Sequence, residues 1–177
     1  MSSPPVAMRA NGRREDPNFH NEEYLFRRIP TTLWDDPAEE LDVDAVQLPD
    51  ISVERSKYAH AEWARFDVLN DRYYDVWGIV AVQVQDIPPE LWREGVFHFV
   101  FRVNHCPDDR NYPHAEIRAY ENEVHVDQPG KIPEDVDLAW RERLLRKLQT
   151  IIKPHQIVRI RETAPVSHKL EPHVVVS

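Results

Sequence analysis

The sequence predicts an α+β domain: an antiparallel sheet of five to seven strands packed by one long C-terminal helix. Three observations carry this expectation. Several segments alternate apolar and polar residues with the period of a half-buried strand, most clearly Phe97, Phe99, Phe101 and Val103 against His98 and Arg102. The stretches joining these segments are too short for parallel crossovers, which leaves an antiparallel meander. Finally, Val136, Trp140, Leu144 and Leu148 recur at helical spacing near the end of the chain.

Composition sets the outer limits. A chain of 177 residues suits one domain with a real core, and 41% hydrophobic with 30% charged residues describes a soluble globular protein. Four glycines against fifteen prolines mean that segment ends are set mostly by proline. With 22 Lys and Arg against 31 Asp and Glu, the net charge of −9 excludes a general nucleic-acid binder. A single cysteine excludes an intramolecular disulfide and fits a reducing compartment. No apolar run is long enough to span a membrane, and the N-terminal residues lack the apolar core of a secretory signal, so a cytoplasmic location is expected.

In chain order, residues 1–21 read as a disordered arm carrying Arg9, Arg13 and Arg14. A single domain is expected over residues 22–162. It opens with a strand from Glu23 to Ile29, stopped by Pro30. Residues 35–44 hold six acids and no base, with Asp36 placed to cap a short helix entered at Pro37. That run lacks the glycine and ligand spacing of a calcium loop and reads as a solvated acidic face. Asp50–Ser56 is a second strand, and Ala59–Leu69 shows helical spacing of Trp63, Phe66 and Leu69. Gly78–Gln85 is a strand ended by Pro88 and Pro89, with Leu91 and Trp92 in a connecting turn. Strands are then expected at 96–103, 113–120 and 123–126, the last two joined by a turn at Glu121-Asn122. The long helix runs from Pro133 to about Ile152, with acids in its first turn and bases in its last, and Pro154 ends it. A final strand at Ile157–Arg161 precedes a flexible tail at 163–177.

The richest stretch chemically is 97–117, where a strand breaks into a polar loop and re-enters as a strand. His114 and Glu116 lie two apart on that second strand and share a face with Arg118, while Ala115, Ile117 and Ala119 face the core. A histidine beside a glutamate can form an acid–base pair or supply metal ligands; the plain alternative is the wet face of an antiparallel strand. His105, Cys106, His114 and Glu116 offer zinc-type donors at a spacing that matches no ligand signature, so no metal is expected. Cys106 could be a nucleophile activated by histidine, or a half-buried thiol at a strand end. Arg27 and Arg28 face opposite ways, and one of them is placed to hold a phosphate or carboxylate. Ser52 and Glu54 share one face of their strand. Arg55 falls on the core side with Val53, either in an internal ion pair with Glu54 or Glu116 or in a pocket. No phosphate loop, dinucleotide glycine motif, nucleophile elbow or HExxH is present, and no cofactor follows from the residues.

Phe26-Arg27-Arg28-Ile29-Pro30, Ser52-Val53-Glu54-Arg55-Ser56-Lys57-Tyr58 and Asn111-Tyr112-Pro113-His114-Ala115-Glu116-Ile117 together resemble a loose family of small uncharacterised bacterial proteins, over about residues 23–118. That resemblance implies a position for a site and no mechanism. The order of arginine strand, serine strand and glutamate strand is also similar to ADP-ribosyltransferase-like toxins. That likeness implies Arg27 or Arg28 to hold the dinucleotide, Ser52 to support the site and Glu116 to orient the nicotinamide ribose; the glycine-bearing and tyrosine-bearing loops of those toxins are not recognisable here. Two functions are therefore expected. One is an acidic interaction or accessory module with a protein partner in a bacterial multi-protein system. The other is an enzyme, a toxin-like transferase or a hydrolase, with His114, Glu116, Arg27, Arg28, Ser52 and Arg55 around one cleft.

Overall fold

A computed structural model describes residues 14–35, 40–67, 72–74, 78–93, 97–108 and 111–152. Its centre is a curled, half-barrel antiparallel sheet. The long strands are β1 (Tyr24–Ile29), β4 (Asp50–Arg55), β7 (Gly78–Gln83), β9 (Phe97–His105) and β10 (His114–Glu121). Shorter ones are β2 (Trp34–Asp35), β3 (Glu40–Leu41), β5 (Phe66–Asp67), β6 (Arg72–Tyr73), β8 (Glu90–Arg93), β11 (Val124–His125) and β12 (Gln149–Ile152). The main sheet runs β12-β7-β1-β4-β10-β9-β8, with β11 hydrogen-bonded to β10, and every pairing is antiparallel. β2 with β3 and β5 with β6 form separate two-stranded ribbons.

The period-2 pattern decides which side is core. Leu25, Ile51, Val53, Val82, Phe99, Phe101, Ala115, Ile117 and Ala119 lie on one face and are buried together. The helix α1 (Glu134–Leu145) covers that face with Val136, Trp140 and Leu144, one per turn, as the helical spacing predicts. Trp140 stacks on Phe101 with ring centroids 4.2 Å apart and donates its Nε1–H to Pro88 O at 2.9 Å, so the large ring is buried with its one polar group satisfied.

Five expectations need correction. The main sheet has eight strands and not five to seven, because short edge pairings by β8, β11 and β12 add to the long strands. The helix has 12 residues and stops at Leu145. Gln149–Ile152 instead adds β12 to the open edge of β7, where unpaired backbone groups and the β-branched Thr150, Ile151 and Ile152 favour a strand. The expected helix at 59–69 is a 3₁₀ helix, Ala61–Arg65, running into β5. Trp63 to Asp67 are five successive buried residues, which the single apolar stripe of an α-helix cannot accommodate. Leu91 and Trp92 belong to edge strand β8 and not to a turn. The β10–β11 turn is Asn122-Glu123, one residue later than expected. Both have positive φ, 49° and 66°, as a two-residue hairpin requires.

Residues 36–39, with the expected Asp36 cap, lie outside the described residues, as do 153–177 with the expected last strand and tail. At the following turn Asp42 does cap a short 3₁₀ helix, Val43–Val46, by accepting from Asp44 N–H. No helix among the described residues is long and apolar enough to cross a membrane.

Candidate functional site

β1 and β4 pair through only two residue positions, Leu25↔Arg55 and Phe26↔Glu54, before the strands splay. Arg27 fills the split: its Nε–H donates to Ala45 O at 2.6 Å and Nη1–H to Ser52 O at 2.8 Å, taking over an acceptor the ladder leaves unused. The splay leaves a cleft of about 350 Å³ whose walls include Arg27, Arg28, Asp44, Asp50, Ser52 and Glu54. Burial and the neighbouring Arg28 pull the Arg27 guanidinium down to about 10. It is still a cation at neutral pH.

β10 pairs with β4 on the other side, placing His114 opposite Glu54 and Glu116 opposite Ser52. The cross-strand register therefore assembles what sequence spacing alone could not. Ser52 Oγ lies 3.4 Å from His114 Nδ1, and Glu54 Oε1 lies 3.8 Å from the same nitrogen. On the opposite edge of the ring, Nε2 lies 3.4 Å from Glu116 Oε1. Arg118 holds Glu116 from behind, donating through Nε at 2.8 Å and lying within 2.6 Å through Nη2. Burial opposes charge on His114, but Glu54 and then Glu116 outweigh it and raise its pKa. Burial likewise works against the Glu116 carboxylate, and Arg118 with His114 holds it below the ordinary range.

Four of the expected site residues, Arg27, Ser52, His114 and Glu116, thus form one connected cluster, and Arg28 joins them at the cleft wall. Two important residues carried no catalytic expectation. Glu54 faces both the cleft and His114, and Asn111 donates Nδ2–H to Glu54 Oε1 at 2.7 Å. Glu54 Oε2 is buried with no hydrogen-bond partner among the described residues, the kind of orphan acceptor that a bound water or ligand hydroxyl completes. The signal was present in Ser52-x-Glu54, which puts both side chains on one face.

Arg55 belongs elsewhere. It is fully buried, and its partners are neither Glu54 nor Glu116. Nε donates to Glu23 Oε1 at 2.8 Å, and Nη2 donates to Glu23 Oε2 at 3.0 Å and to Asn18 O at 2.7 Å. Nη1 donates to Asp16 O at 2.7 Å, and Phe19 covers the guanidinium at 3.8 Å. Asp16 in turn binds Lys57 and Tyr58. Residues 14–21, expected in the disordered arm, are therefore strapped across the sheet by Arg55. The reason is that one buried guanidinium needs five acceptors and the sheet alone cannot supply them.

His105 and Cys106 are also accounted for by packing. Asp16 N–H donates to His105 Nδ1 at 2.9 Å, and Nε2 contacts Tyr112 O at 2.6 Å, so the neutral Nε2–H tautomer satisfies both nitrogens. Burial lowers the His105 pKa despite the opposing Tyr112 carbonyl. Burial pushes the Cys106 thiol up to about 11, which leaves little thiolate for nucleophilic attack. Among the described residues no group of His, Cys, Asp and Glu is placed to hold a metal ion.

A pH dependence follows. A histidine whose folded pKa is depressed contributes stability that is fully present above its unfolded pKa of about 6.5 and is lost as pH falls below it. Between pH 7 and 5 the His105 contribution is expected to fall while that of His114, whose pKa is raised, grows. The His105 part is therefore read in urea unfolding as the difference between the wild type and His105→Gln. That difference should shrink as pH falls; an identical slope in the two proteins would contradict the tautomer assignment. No family model, curated protein or solved structure matches the chain, and its functional reading rests on the geometry of this cleft.

Proposed function

We propose that the chain is an enzyme of the acid–base type, with its active site in the cleft between β1 and β4. The observation that supports this most strongly is the placement of His114 between Glu54 and Glu116 with Ser52 at hydrogen-bond distance, beside a concave cleft. Glu54 and Glu116 favour the protonated ring, so His114 is assigned as general acid. Glu116, fixed by Arg118, orients the ring. Glu54 is the proton acceptor, and rotation about its last torsion exchanges its two oxygens.

In hydrolysis or group transfer, the attacking water or hydroxyl loses its proton to Glu54 as the leaving oxygen takes one from His114. A transferase and a hydrolase differ here only in the acceptor. Ser52 accepts from the imidazolium and positions it. With His114 starting the cycle protonated as the acid, the ring does not take a proton from the serine. This mechanism therefore does not use Ser52 as the nucleophile of a Ser–His–acid triad.

A second reading, an interaction module, is favoured by one separate feature. Trp92 on edge strand β8 is 66% exposed and stacks on His98 with centroids 3.7 Å apart, and Val124 is 68% exposed. The two readings part in one experiment. Incubation of the protein with a small-molecule cell extract, followed by mass spectrometry, is expected to show one compound consumed and one formed with the wild type and neither with Glu54→Gln. Matching profiles from the two proteins would sink the enzymatic reading.

A further inference from the structure

We propose that Arg27 and Arg28 form a phosphate subsite that holds the phosphomonoester of a small hydroxylated substrate. The inference rests on the reading of the cleft as an active site and names what would occupy it. It comes from a charge balance along the cleft walls. Each lining carboxylate faces a basic side chain other than Arg27 and Arg28, although Arg141 is shared with Asp137, and Arg118 and His114 are shared with Glu116. Asp44 receives Arg141 Nη1 at 2.8 Å, Asp50 lies 2.7 Å from His125 Nε2 and 3.7 Å from Arg118 Nε, and Glu54 faces His114 at 3.8 Å.

The two arginines have no such compensation. Arg27 meets the carbonyls of Ala45 and Ser52, and Arg28 lies over the Tyr74 ring at 4.0 Å. Among the described residues neither is within ion-pair distance of a carboxylate. A chain with net charge −9 thus places two arginines without carboxylate partners on the walls of one cleft. For Arg27, a guanidinium taken largely out of bulk water without a counter-ion is costly, and an anionic ligand lowers that cost.

Two guanidinium groups lining one cleft suit a phosphomonoester dianion better than a single carboxylate: Arg28 can offer its fork, and Arg27 its Nη2, since Nε and Nη1 are taken by carbonyls. The volume of about 350 Å³ is at the small end of ligand sites and matches a sugar phosphate, not a polymer. Gln47, Asp50 and Glu54 on the same walls offer acceptors for hydroxyls beside the phosphate.

Isothermal titration of the full chain with inorganic phosphate, ribose 5-phosphate, ribose and succinate tests this. Ribose 5-phosphate is expected to bind the wild type, to weaken as salt is added, and to bind Arg28→Gln about tenfold less tightly, the loss of one charge-assisted contact. Arg28→Lys should fall between, keeping the charge without the fork. Arg28 is exposed, so these variants are expected to keep the fold. Failure of the wild type to bind either phosphate probe, or equal binding by Arg28→Gln, would overturn the subsite. Succinate binding more tightly than phosphate would overturn the phosphate assignment. Arg28-dependent phosphate binding alongside unchanged turnover in Glu54→Gln would keep the subsite and remove the catalytic reading.

Discussion

Arg55→Ala is expected to cost the fold about 3–5 kcal/mol, because it leaves the buried Glu23 carboxylate and the carbonyls of Asp16 and Asn18 without their shared donor. The loss should be visible in urea denaturation. It should also appear as new proteolysis within residues 14–23, where the strap no longer has its anchor. Arg55→Met with Glu23→Gln tests the cause. Removing both charges is expected to recover much of the stability, since the larger part of the penalty is an uncompensated buried carboxylate and not lost attraction. If Arg55→Ala is as stable as the wild type, the strap is not held as described. The same residue was a site candidate by sequence, so a large stability effect with an intact cleft separates its structural role from the chemistry.

His114→Ala is expected to lower turnover by about 10²–10⁴-fold, the usual contribution of a positioned general acid. The pH profile carries the diagnostic part. A group that must be protonated to act loses effect as pH rises through its pKa, so the wild-type rate should fall on the alkaline side at a midpoint above about 6.5. That limb should vanish in His114→Ala. A profile in which the limb survives would assign the acid to another residue.

How far this was legible in the sequence differs by element. Strands β4, β9 and β10 are readable from their alternation, β7 as a short apolar run rich in valine, and β1 as a short run stopped by Pro30, while the stripe of Val136, Trp140 and Leu144 repeats once per turn. Gln149–Ile152 was misread because a β-branched run continues the helical spacing, and only the open edge of β7 makes it a strand. For the site, the shared face of His114 and Glu116 followed from period 2. Their meeting with Ser52 and Glu54 did not, because it depends on the register of β10 against β4, which is a long-range pairing with no local signal. Arg55 illustrates the same limit. Its core-side placement is readable, but its partners Asp16 and Asn18 come from a segment whose polar composition reads as a disordered arm, and Glu23 from the start of the strand after it.

The central claim is that His114 is a proton donor whose charge is maintained by Glu54 and Glu116. Long-range ¹⁵N–¹H NMR of the histidine rings tests it most directly, since the two ring nitrogens report the protonation state of each imidazole. His114 is expected to be mostly doubly protonated at pH 6.5, with a titration midpoint above that value which falls in Glu54→Gln. A His114 midpoint at or below 6.5, unmoved by Glu54→Gln, would contradict it.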